Sequence, residues 1–177
     1  MYDDIRPIKG NEDKFIEYLD HLIETYDRRS KHWFIPLRKT FDRYLYWTLV
    51  FQNDKIVAFS CIQDHFFEEG TVRVMTRSWY DLNLRSHTLS SNKDNYKTPF
   101  VSIITNQMNW LRENKSDLTR AIFTFEPDRG QNLLKKISNK INVSTGWTNF
   151  VPMPDKMKTF PQATEADYQI YAEHRFK

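Results

Sequence analysis

The chain has a single cysteine, Cys61, so no disulfide can form within a monomer. Its place in an apolar, strand-like run makes it a small core residue of a protein kept in a reducing compartment. No apolar run approaches the roughly 18 residues of a spanning helix. The N-terminus is acidic and polar, without a signal-peptide pattern, so a cytoplasmic protein with no membrane partner is expected. One sign of charge does not dominate either. The net charge of +3 is scattered rather than striped, which gives no strong nucleic-acid signal, although a pI near 8.9 and many rings keep a nucleic-acid-associated protein among the classes to weigh. No group of His, Cys, Asp and Glu has metal-ligand spacing, and His65 and His87 stand alone in loops, so no metal is expected. Ser78, Ser86, Ser90 and Ser91 lack the Gly-x-Ser-x-Gly turn of a hydrolase. Glycine is absent from the whole of residues 81–98, a loop much longer than the usual connection of about 4–6 residues.

What the chain has instead is rings, with 13 Phe, 9 Tyr and 5 Trp in 177 residues. Trp33, Trp47, Trp79, Trp110 and Trp147 are spread through separate elements, which suits a core better than a base-stacking platform. The length fits one domain over residues 1–177. A short strand over 2–8 precedes a helix over 11–26, with Asn11 as its cap and Phe15, Tyr18, Leu19, Leu22, Ile23 and Tyr26 on one face. A second helix is expected over 36–45. Residues 46–51 and 55–62 form a hairpin about Asn53-Asp54.

Residues 71–80 read as a central strand. Strict alternation puts Val72, Val74, Thr76, Ser78 and Tyr80 on one face and Thr71, Arg73, Met75, Arg77 and Trp79 on the other. Arg73 and Arg77 then share a half-apolar face and need a carboxylate of a neighbouring element or an anionic substrate group. Thr98-Pro99 begins a helix through 114, with Phe100, Ile103, Ile104, Met108 and Leu111 on one face and an N-terminus suited to an anion. A strand over 119–125 follows, parallel to the central strand by a right-handed crossover. Asp128 and Gln131 make a capping box for a short helix through 141. Residues 147–153 and 167–176 complete the strands. Glu126, past the strand over 119–125, and Glu69 or Glu68, at the mouth of the central strand, are where a general base can stand. Lys156 and Lys158 lie in a solvated loop.

This order of elements, with residues 72–85 as a fourth strand running into a loop, resembles the GNAT acetyltransferase superfamily along nearly the whole chain. The resemblance implies an α/β (α+β) fold, an open mixed sheet of six to seven strands with helices on both faces. It also implies an acyl-CoA-dependent N-acyltransferase that uses acetyl-CoA as co-substrate to acylate a small-molecule or peptide amine, as a monomer or homodimer. Arg85-Ser86-His87-Thr88-Leu89-Ser90 stands where that family carries R/Q-x-x-G-x-G/A, the loop that binds the acyl-CoA pyrophosphate. Arg85 keeps the first position, and Thr88 and Ser90 replace the glycines. Asn132 fits the start of the family's Asn-x-x-Ala-x-x-Leu-Tyr, whereas Asn139 takes the tyrosine's place. On this resemblance Ser78, Trp79, Arg85, Thr88, Ser90 and Asn132 bind the cofactor, Arg73 and Arg77 bind substrate, and Glu126 and Glu69 act as base. The missing glycines and tyrosine set a non-catalytic binding or regulatory module on the same scaffold as the alternative.

Overall fold

The computed structural model describes residues 4–26, 28–64, 69–81, 99–125, 151–152 and 170–176. Strand β1 (Asp4–Pro7) leads into helices α1 (Glu12–Thr25) and α2 (Arg28–Thr40) and a 3-10 turn at Phe41–Arg43. Strands β2 (Tyr46–Gln52), β3 (Lys55–Gln63) and β4 (Thr71–Tyr80) follow, then helix α3 (Pro99–Asn114) and strands β5 (Arg120–Phe125), β6 (Val151–Pro152) and β7 (Ile170–Arg175). The sheet order is β1-β2-β3-β4-β5-β7-β6. It is mixed as expected, since β4 and β5 run parallel while β1–β2, β5–β7 and β6–β7 are antiparallel. The chain divides into two compact units, residues 1–61 with 77–103 and residues 62–76 with 104–177.

In the first unit the hairpin turns at Asn53 and Asp54, with φ of 51° and 57°. Two successive left-handed residues mark a type I′ turn, whose twist matches that of the flanking strands, and Asn and Asp tolerate that region better than most residues. Helix α1 buries Phe15, Leu19 and Leu22. Phe15 meets the rings of Trp47 at 4.9 Å, Phe59 at 5.1 Å and Phe41 at 5.9 Å, and Trp33, Phe34 and Trp79 extend the same cluster. Trp47 is therefore a core residue, with Trp33 and Trp79 packed, partly buried, against the same cluster.

Two local expectations are corrected here. Asn11 does occupy the N-cap position, but its side chain makes no cap bond and donates instead to the Pro7 carbonyl at 3.1 Å. The second helix begins at Arg28, well before Pro36, which lies inside it. Proline at that place removes one intrahelical hydrogen bond and favours a helix start on local grounds. Burial outweighs it, because Phe34 and Leu37 are both buried in the ring cluster. Arg38 near the helix end pairs through two nitrogens with Asp20 of α1, and the Thr40 hydroxyl donates to the Pro36 carbonyl at 3.0 Å.

In the second unit β5 pairs with β7 along its whole length, from Arg120↔Arg175 to Phe125↔Ile170. His174, opposite Ala121, is buried, with its ring edge-on to Phe176 at 4.9 Å. Burial, helped by the charge of Arg112, holds its pKa below the ordinary imidazole value of 6.5. A lowered pKa means that the unfolded chain takes up the proton first as pH falls. The stability contribution is thus full above 6.5 and is lost progressively as pH falls toward the lowered folded value. Melting temperatures of wild type and His174→Gln across pH 8 to 5 test this. The wild type should lose ground relative to the variant below about pH 6.5, and a pH-independent difference would contradict it.

Candidate functional site

The site is built where β4 and β5 part. At one end the two strands are locked together, because the Gly70 carbonyl accepts the backbone N–H of Thr119 (2.8 Å) and of Arg120 (3.2 Å) and the Thr119 hydroxyl (3.0 Å). Glycine is needed there, since Gly70 has φ of 73° and a Cβ would stand 3.2 Å from Thr119 Oγ1. Parallel register then runs from Thr71↔Arg120 to Arg73↔Ile122 and ends. Within the second unit both strands continue, β4 to Thr76 and β5 to Phe125, without sharing a ladder.

The cause lies in β4. Met75 (φ 55°) and Arg77 (φ 49°) are left-handed without being glycine. Such residues are uncommon and cost of order 1–3 kcal/mol each, so the surrounding structure must hold them. At Met75 the holder is visible, because its N–H donates to Gln107 Oε1 of α3 at 2.9 Å. The expected alternation still shows in burial, with Val72, Val74 and Thr76 buried and Arg73, Met75 and Arg77 half-buried, although Met75 and Arg77 are left-handed within the strand. Gln107 was not among the sequence candidates, yet it occupies the apolar stripe of Ile103, Ile104, Met108 and Leu111 and is itself 0 % exposed. A polar residue in a buried stripe was the signal available.

The described candidates have definite surroundings. Arg73 is half-buried opposite Ile122. Arg77 Nε donates to the Tyr44 hydroxyl at 2.9 Å, a phenol where an acid or a ligand was expected. Ser78 Oγ lies 2.8 Å from Ser60 Oγ. Trp79 packs edge-on against Tyr26 at 4.9 Å and Phe34 at 5.0 Å. Glu69 is exposed in the turn before Gly70. Arg85, Thr88, Ser90, Glu126 and Asn132 lie outside the described residues, as do Glu68, His65, His87, Thr98, Asn139, Lys156, Lys158 and the short helix expected over 128–141.

A further polar group stands at the end of β4 in the first unit. Burial pushes the Tyr18 phenol well above its ordinary value, with the Asp81 charge adding to the shift. The Trp79 indole N–H lies close enough to favour the phenolate and offsets part of this, more than the Asp81 charge adds. Tyr26 is raised by burial and then by Asp81. Both phenols stay protonated at neutral pH and can act as donors. Among the described residues no group of His, Cys, Asp and Glu is arranged to hold a metal, and no helix is long and apolar enough to cross a membrane.

No protein-family model matches the sequence, and no curated protein does. Solved structures do. A protein from Desulfovibrio desulfuricans assigned to the GNAT family of acetyltransferases is similar over 97% of this chain and 98% of its own, with a TM-score of 0.57 at 10% identity. An acetyltransferase from Streptococcus agalactiae is similar over 98% of both chains, with a TM-score of 0.56 at 12% identity. The PaiA N-acetyltransferase of Thermoplasma acidophilum, in complex with coenzyme A, is similar over 98% of this chain and 100% of its own, with a TM-score of 0.53 at 7% identity. The fold of this chain is that of the GNAT acetyltransferases.

Proposed function

We propose that this chain is a divergent GNAT member that transfers an acyl group, acetyl in the first instance, from acyl-CoA to an amine of a small molecule or peptide. The observation that carries this is the parting of β4 from β5 after Arg73↔Ile122 in a fold shared with acetyltransferases. Two parallel strands that stop sharing hydrogen bonds leave backbone edges between which an extended, amide-bearing arm can lie.

The chemistry is a displacement at the thioester carbon. The neutral amine nitrogen attacks, the carbon–sulfur bond breaks, CoA leaves as the thiolate, and the amine's proton passes to a base and from there, directly or through water, to the thiolate to give free CoA. Glu126 or Glu69 is the carboxylate for that role, with Arg73 and Arg77 toward the substrate and Ser78, Trp79, Arg85, Thr88, Ser90 and Asn132 toward the cofactor. Catalysis then rests mainly on positioning, which is worth several powers of ten when the reacting atoms are held close. The protein works in the cytoplasm, as one domain, monomeric or homodimeric.

Thr88 and Ser90 in the glycine positions and Asn139 in the tyrosine position favour a second reading, a binding or regulatory module without turnover. Thiol release from acetyl-CoA, followed with a panel of polyamines, amino acids and short peptides, separates the two. Amine-dependent release with at least one acceptor is expected. Binding of acetyl-CoA with no release for any acceptor would give the second reading the place of the first.

A further inference from the structure

Gln107 is fully buried, and its two polar atoms are in different situations. A backbone N–H can only donate, so the carboxamide oxygen must be the atom that faces Met75, and the nitrogen is thereby fixed on the other side. That nitrogen, Nε2, is buried and has no hydrogen-bond partner among the described residues. Buried donors are rarely left so in a native protein, and each instance asks for an explanation. Holding Met75 needs only the oxygen.

The position supplies the explanation. Met75 is two residues past Arg73, where β4 and β5 cease to share a ladder, and Nε2 belongs to the carboxamide bonded to its N–H. We infer that Gln107 Nε2 donates a hydrogen bond to the acyl carbonyl oxygen of the thioester bound between these strands. This rests on the acyl-transfer reading and adds a named residue to it. A neutral, fully buried carboxamide suits a neutral acceptor such as a thioester oxygen. It has no charge to compensate a phosphate, and an amide nitrogen has no basic lone pair with which to take the proton of the amine. When the amine attacks, the carbonyl oxygen gains negative charge, and a donor already in place strengthens its bond to it without reorganising. Gln107 thereby links the shape of β4, through Met75, to the electrophile, through Nε2.

The test uses acetyl-CoA labelled with 13C at the thioester carbonyl, unlabelled CoA, and the variants Gln107→Met and Gln107→Glu. In wild type the carbonyl stretch of the bound label should fall to lower frequency than in free acetyl-CoA. In Gln107→Met the downshift should disappear and acetyl-CoA should lose about threefold to tenfold more affinity than CoA, which has no acyl carbonyl and loses only what the released Met75 N–H costs the strand. Gln107→Glu keeps an oxygen for Met75. Its downshift should be absent at high pH and return when the buried carboxyl is protonated and becomes a donor, a dependence that a packing role would not produce. A wild-type downshift that persists unchanged in Gln107→Met, a bound label without any downshift in wild type, or equal losses for CoA and acetyl-CoA would each overturn the assignment. Failure of wild type to bind either compound would remove the acyl-transfer reading itself, and this assignment with it.

Discussion

Replacing Phe15 by alanine should lower the stability of the chain by about 3–5 kcal/mol. Phe15 is 0 % exposed and sits among the rings of Trp47, Phe59 and Phe41. The substitution removes the transfer free energy of a whole ring and leaves a cavity that flat, rigid neighbours cannot collapse to fill. It also deletes edge and tilted ring pairs worth about 0.5–1.5 kcal/mol each. With a typical domain stable by about 5–15 kcal/mol, a loss of this size removes roughly a fifth of the total or more. Ile35, 41 % exposed on α2, is the control, since its truncation should cost only about 0.5 kcal/mol. Urea unfolding of the two variants checks both figures. A Phe15→Ala variant within about 1 kcal/mol of wild type would mean that the cluster does not hold the first unit together.

The second large effect is on ligand binding. Arg85→Ala should weaken CoA affinity about tenfold or more and leave the melting temperature of the free protein nearly unchanged. Arg85 alone keeps the identity of the pyrophosphate signature in the stretch over residues 85–90. In the acyl-transfer reading, Thr88 and Ser90 in place of glycines would let fewer backbone amides approach the phosphates, so a charge-assisted side-chain bond, typically about 1.5–3 kcal/mol, should carry more of the binding. Equal CoA affinity in wild type and variant, measured by calorimetry, would take Arg85 out of the site.

Several elements were legible in the sequence for clear physical reasons. Pro99 at a first helical position with apolar residues three and four apart gave α3 its bounds, and Asn53-Asp54 between β-branched and aromatic runs gave the hairpin. The parallel pairing of β4 with β5 followed from a strand, helix, strand order. Local reasoning failed where tertiary packing overrides it. Pro36 reads as a helix start, but burying Phe34 and Leu37 extends α2 back to Arg28. The left-handed residues Met75 and Arg77 carry no glycine to announce them, and Met75 is held by a bond to Gln107, 32 residues away. Gln107 itself was hidden by the strength of the apolar pattern around it. Arg77 looked like an anion ligand because a strand arginine wants an oxygen, and the oxygen it finds is the Tyr44 phenol.

The central claim is that this scaffold holds acyl-CoA, and thermal unfolding of the wild-type protein with and without acetyl-CoA tests it most directly. A ligand that binds only the folded state, present at about 100 times its dissociation constant, stabilises that state by about 2.7 kcal/mol. A concentration-dependent rise in melting temperature is therefore expected with acetyl-CoA. An unchanged melting temperature at millimolar acetyl-CoA, with no heat on calorimetric titration, would contradict the claim.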